Sequence, residues 1–213
     1  MLKIDLHIHT SLGGDSFIEP QSLVDRAREV GLDAVCITEH HSYDLSEPFD
    51  EISRETGFPI FRGMEYRADS GHLLIYGVRV TRGNLPSGLP VQKAVDWVQK
   101  NGGVAIPAHP YQHSLAGQYL GDDILQTSGL FALEVLNGSV SLDGNRRAEE
   151  AAEKLGIKGI GGSDAHGLQV LGKAYTCFPA AVASMEELVA ALKGEDYYPA
   201  WNEYYEVPKE AVH

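Results

Sequence analysis

Short apolar runs alternate along this chain with amphipathic stretches that end on glycine, and that alternation leaves few folds open. Residues 3–8, 33–38, 59–64, 72–80, 104–108, 131–137, 158–162 and 173–178 read as strands. Residues 20–30, 46–56, 91–101, 143–155 and 185–193 read as helices. In the first of these Leu23, Val24, Ala27 and Val30 recur at helical spacing and Gly31 closes the segment. No linker, low-complexity tract or internal repeat interrupts the series. Repeated strand–helix units with one composition imply one α/β domain with a mostly parallel sheet. About seven such strands approach a barrel, whose site lies at the C-terminal strand ends.

The bulk numbers fit that class. The chain has 213 residues, 43% hydrophobic and 22% charged, as in an ordinary soluble globule. No apolar run approaches bilayer length. Met1-Leu2-Lys3-Ile4-Asp5 turns polar at once, unlike a signal peptide, and the expected location is the cytoplasm. Cys36 and Cys177 lie in strand-like runs and read as buried free thiols, with no CxxC pair for sulfur-ligated zinc. The net charge of −13, without a basic stripe, argues against long nucleic acid as a partner. Bound divalent cations would still admit a small anionic substrate. The segment from about 195 to 213, aromatic and acidic from Tyr197 onward, is expected as an extended flap or packing strand.

The chemistry gathers at the strand ends. His7 and His9 are two apart on a strand and so face one way, which suits two imidazoles on one metal or a strand face that merely carries both. Asp15 lies in a Gly-Gly-Asp-Ser loop, where a turn residue would also fit. Glu39-His40-His41 follows the buried-looking run Ala34-Val35-Cys36-Ile37, and His40 and His41 must point differently. Glu65 ends an apolar run after Gly63, and a carboxylate can bridge two metals as a histidine cannot. His72 opens another run, and His109 sits before Pro110, just after a buried strand. In Gly161-Gly162-Ser163-Asp164-Ala165-His166 the glycines permit close backbone approach, while Asp164 and His166 offer oxygen and nitrogen. Imidazole and carboxylate collected at strand ends suit a multi-metal hydrolytic site.

These motifs, in this order and over nearly the whole chain, resemble the PHP domain of the polymerase and histidinol phosphatase superfamily. The resemblance implies a single PHP domain over 1–213, with a distorted seven-stranded (β/α)7 TIM-like barrel. It implies two or three divalent ions, zinc, manganese or iron. His7, His9, Glu65 and Asp164 would take the first and Glu65, His72 and His109 the second. Asp15, His40 and His166 would take the third. Glu65, His40 and Asp164 would act through a metal-bound hydroxide, with a metal-bound water or His41 as acid to the leaving group. Substrate contacts are expected from His41, His113, Asn137 and Arg146 or its neighbour Arg147, with the loop 114–121 as a lid.

The function expected is hydrolysis of a small phosphorylated metabolite or nucleotide. The alternatives are an exonuclease-like phosphodiesterase on short oligonucleotides and a metal-stabilised non-catalytic scaffold. An amidohydrolase also opens with HxH, but that family uses a bridging lysine and a lone late aspartate, where this chain has Glu65 and the Asp164/His166 pair.

Overall fold

The computed structural model describes residues 1–113, 119–194 and 196–206. Ten strands and five helices follow one another in these segments. The order opens with β1 (Leu2–Ile8), α1 (Pro20–Glu29), β2 (Ala34–Ile37), α2 (Phe49–Thr56) and β3 (Ile60–Arg62). It continues with β4 (Met64–Arg67), β5 (His72–Tyr76), α3 (Val91–Lys100), β6 (Val104–Ala108) and β7 (Ala132–Asn137). It closes with α4 (Leu142–Leu155), β8 (Lys158–Gly162), β9 (Ala174–Phe178), α5 (Met185–Lys193) and β10 (Tyr198–Trp201). The helices start and stop close to where their sequences say, except that α2 begins at Phe49 and not at Ser46, which instead ends a short 3-10 turn, Tyr43–Ser46. Pro20 opens α1, the Ser141 and Ser184 hydroxyls accept from backbone N–H groups in the first turns of α4 and α5, and Gly57 and Gly156 end α2 and α4 in the left-handed region.

The sheet differs from the expected one. The order β10-β9-β1-β2-β3 makes a five-stranded sheet, β4-β5-β6 a second and β7-β8 a third. Among the named strands β1–β2, β2–β3 and β7–β8 pair in parallel; β1–β9, β9–β10, β4–β5 and β5–β6 are antiparallel. A mostly parallel sheet is therefore not what forms. The turn between β4 and β5, Ala68 to Gly71, is too short for a parallel crossover and dictates a hairpin. Nor do the ladders among the described residues close into a barrel. At the seam between β8 and β9 the Thr176 hydroxyl stands in for a ladder, accepting from Gly161 N and donating to Gly161 O, both at 2.9 Å. At the seam between β3 and β4 the chain turns on Gly63, whose N–H reaches Ile37 O at 2.8 Å. A side chain there would press within 2.9 Å of Ile75 O.

Packing still joins the three sheets. Ile4 and Leu6 of β1, Leu74 of β5, Ile106 of β6 and Ile160 of β8 are fully buried in one apolar cluster. Cys36 and Cys177 are buried free thiols. Of the C-terminal segment, β10 packs on β9 and the following turn clasps α1, with Asn202 Nδ2 donating to Val30 O at 2.8 Å and Arg26 donating to the hydroxyls of Tyr204 and Tyr205. Residues 207–213 lie outside the described residues. No described helix is long and apolar enough to cross a membrane.

Candidate metal centre

The strands bring the nine histidine and carboxylate candidates to one end of the core. Alternation along β1 turns His7 and, just beyond its end, His9 to the same side. Asp164 N donates to His7 O at 2.8 Å and His9 N to Ala165 O at 3.1 Å, so the Asp164–His166 loop is laced to the first motif. Gly162 makes this approach possible, because a Cβ there would lie 2.6 Å from His7 Cβ. His40 bridges in register to Glu65, which sits inside the short β4 and does not end a third strand as the sequence suggests. Antiparallel pairing brings the start of β5 back beside it, and His72 pairs with Ala108, next to His109.

Three groups result. His7, His9, Glu65 and Asp164 form one; Glu65, His72 and His109 a second; His9, Asp15, His40 and His166 a third. In the first group His7 Nε2 and His9 Nε2 are 3.1 Å apart. Glu65 Oε2 is 3.2 and 3.0 Å from them, and Asp164 Oδ1 3.5 and 3.4 Å. Four donors about 2.0–2.1 Å from one ion in a tetrahedron stand roughly 3.3 Å apart, so the residues fit a divalent ion. In the second group Glu65 Oε1 is 2.8 Å from His72 Nδ1 and 2.9 Å from His109 Nε2. The His72 nitrogen is buried and makes no hydrogen bond, although it lies against that oxygen. The two oxygens of Glu65 thus face different imidazoles. The third group is looser: Asp15 Oδ2 is 3.4 Å from His40 Nε2 and 3.9 Å from His166 Nε2. A set of N and O donors suits zinc, manganese or iron.

The group is electrostatically tense. Burial opposes charge on His7, yet Asp164, Glu134 and Glu65 hold its imidazole well above the usual range. Burial likewise opposes charge on His9, but Asp164 and Glu65 push it up to about 9. Burial disfavours ionised Glu65 and Asp164, and the histidines around them keep both far below the usual carboxylate range. His40 is pushed down to about 4 by burial and by His9 and His72, despite Glu65.

The substrate-contact expectations divide. His113 lines the cavity of about 440 Å³ over the cluster, stacked on Tyr119 with ring centroids 4.1 Å apart. His41 is exposed and lines a separate depression beside Leu12 and Arg82, so it does not face the cluster cavity. Asn137 is fully buried behind the cluster, not at its rim. Arg146 is exposed and tied to Asp143 and Glu150, on another cavity bounded by α4 and β10. Arg147 lies over the Tyr111 ring at 4.4 Å, behind the cavity wall. The expected lid falls at 114–118 outside the described residues. The cavity is lined by no lysine or arginine among the described residues.

Two buried acids escaped the sequence reading. Asp5 accepts from Ser163 N at 2.8 Å, Gly172 N at 2.9 Å and His7 N at 3.2 Å; burial raises it to about 6 against those bonds. Glu134 accepts from His109 N at 2.7 Å and pairs with His7 Nδ1 at 2.9 Å. The available signal was one acid inside each of two buried apolar runs, Lys-Ile-Asp-Leu and Ala-Leu-Glu-Val.

Known proteins share stretches of this sequence and this fold. The PHP domain model matches residues 5–105 and the PHP-associated model residues 143–196. An uncharacterized protein of Methanocaldococcus jannaschii is 30% identical over 146 residues, spanning 64% of this chain and 82% of its own. PsfC of Pseudomonas syringae superimposes with a TM-score of 0.70 at 19% identity, over 95% of this chain and 92% of its own. A proposed metal-dependent phosphoesterase of Bifidobacterium adolescentis does so at 0.63 and 20%, over 77% and 87%. These two structural likenesses concern the fold.

Proposed function

The chain belongs to the PHP family, and from that premise we propose that it is a metal-dependent phosphoesterase acting on a small phosphorylated metabolite or nucleotide. The observation that carries the reading is Glu65, whose Oε2 faces His7 and His9 while its Oε1 faces His72 and His109. Such a carboxylate suits two neighbouring divalent ions. His7, His9, Glu65 and Asp164 would hold one, Glu65, His72 and His109 the next, and Asp15, His40 and His166 a third beside His9. Zinc, manganese or iron would be accepted. When bound, the ions supply a water acidified to near-neutral pH and positive charge toward phosphoryl oxygens.

The protein's own residues divide the remaining work. Glu65, His40 and Asp164 hold the reacting centre together at the floor of the cavity. With no fixed cation in the described lining, the charge of the phosphoryl group falls to the metal side of the site. His113, Tyr119 and Leu120 offer the substrate's organic part a flat, largely apolar wall. The net charge of −13 disfavours a long polyanion, while bound divalent ions would still admit a single small ester.

The test is phosphate release by manganese-reconstituted protein across sugar phosphates, amino-alcohol phosphates, nucleotides and short oligonucleotides, with Asp164→Asn as control. Activity on one class that vanishes in the folded control supports the reading. Mononucleotide release from oligonucleotides would replace it with the phosphodiesterase alternative. Silence across the panel with metal bound would leave amide hydrolysis or a scaffold.

A further inference from the structure

Glu134 and Asn137 lie between the segments matched by the two family models, and no metal group contains either of them. Both are fully buried. Residues three apart on a regular strand face opposite ways. Here the β7–β8 register slips between Glu134 and Leu136, and both side chains arrive at the cluster. A bulge beside a functional site commonly re-aims a side chain in this way.

The contacts of Glu134 are all spoken for. Its Oε1 meets His7 Nδ1 at 2.9 Å. Its Oε2 accepts from the His109 backbone N–H at 2.7 Å and from Asn137 Nδ2 at 3.0 Å. Asn137 Nδ2 also reaches Asp164 Oδ2 at 3.3 Å. Asn137 is itself gripped by Asn145 of α4, which accepts from its N–H and donates to its C=O, each at 3.0 Å. One carboxylate and one amide therefore touch candidate ligands from three separate places in the chain.

Two of those ligands need holding. Among the described residues only His41, His109 and Asp164 have positive φ without being glycine, and His109 and Asp164 stand at 29° and 51°. Such backbone costs of order 1–3 kcal/mol and persists only where surroundings enforce it. Glu134 grips the strained N–H of His109, Asn137 the carboxylate of Asp164, and Ser139 Oγ donates to Asp164 O at 3.1 Å.

We propose that Glu134, braced by Asn137 and Asn145, is the positioning residue of the metal centre. It fixes His7 with Nδ1–H turned away, so that the Nε2 lone pair faces Glu65, His9 and Asp164, and it pins His109 in its strained conformation. The carboxylate touches neither substrate nor ion. It acts through the histidines, as carboxylates behind metal-bound imidazoles do. Glutamate is required because three donors converge on it and glutamine brings only one acceptor oxygen. Glu134→Gln keeps an acceptor oxygen for only one of the His7 Nδ1–H and His109 N–H groups, so it releases His109 or turns the His7 tautomer.

The proposal rests on reading the cluster as a metal centre, and its test separates the two. Zinc affinity is measured by competition with a chelating dye for the wild type, Glu134→Gln, Asn137→Ala and a packing control, Ile160→Val. Glu134→Gln should bind zinc about 10–100-fold more weakly and Asn137→Ala about tenfold. Ile160→Val should lower thermal stability without changing affinity. In the zinc-loaded wild type the His7 Nδ1 proton should resonate far downfield, as expected for a carboxylate partner, and that signal should move in Glu134→Gln. Should Glu134→Gln not fold, Asn137→Ala decides by the same affinity measurement. Wild-type affinity in the folded variants, or losses that merely follow thermal stability, would overturn the proposal while leaving the metal centre intact. A wild type that takes up no zinc overturns both.

Discussion

The inner and outer halves of the site are built on different terms. His7, His9 and Glu65 are at most 1% exposed, on or next to strands, with Glu134 and Asn137 behind them. Asp15 and His166 are each 40% exposed on loops, and their carboxylate and ring nitrogen stand 3.9 Å apart. Rigid buried donors with a second layer of hydrogen bonds bind tightly; exposed loop donors adapt and exchange. The inner half is thus suited to a resident role and the outer half to completing the site around an arriving ligand.

The largest break in this contrast comes at Glu65, which the inner groups share. Glu65→Gln keeps the shape but removes the charge between two sets of imidazoles. Activity should fall by about 10³-fold or more, because charge stabilisation worth several kcal/mol is lost at about 1.4 kcal/mol per tenfold. Metal analysis should show the inner ions lost as well. Retained turnover with full metal content would remove Glu65 from the centre.

Metal removal gives the next effect. Graded chelation should strip the outer ion first, with an affinity gap of about 10–100-fold between the halves. Metal counting after each step checks this, and simultaneous loss of all ions would erase the distinction. Proton release is a smaller, linked effect. His9 is held up to about 9 and His7 also lies high, while their Nε2 atoms sit 3.1 Å apart, so the pair keeps protons near neutral pH before metal arrives. Binding must expel those protons. Affinity should therefore rise with pH through the neutral range. Calorimetry in buffers of different ionisation enthalpy measures the protons released; none released near pH 7 would contradict the inner-half electrostatics.

Several candidate ligands were legible because imidazoles and carboxylates at strand ends stand out against apolar runs, while Asp15, His72 and His109 stood out only through the resemblance to the PHP motifs. Helix limits were legible for a similar reason, since Gly57 and Gly156 punctuate them. Strand direction was not. The run 59–64 reads as one strand, but the turn at Gly63 splits it and places Glu65 in β4. Glu134 and Asn137 were hidden by the register slip, which no periodicity of two can reveal. Asn137 consequently reads as a rim residue when it is a buried brace.

Arg146 supplies the smallest expected effect and the sharpest negative control. An arginine at the start of a helix after a buried strand is a natural phosphate contact, yet its guanidinium is spent on Asp143 and Glu150 across one helix face. Exposed pairs of this kind contribute little to stability. Its side chain borders the depression between α4 and β10, away from the histidines. Arg146→Ala should leave both metal affinity and kcat/KM for any ester unchanged within about twofold, and thermal stability essentially unchanged. A large rise in KM would mean that substrate reaches beyond the described cavity onto α4, and the line between a metal-charged floor and an uncharged wall would have to be redrawn.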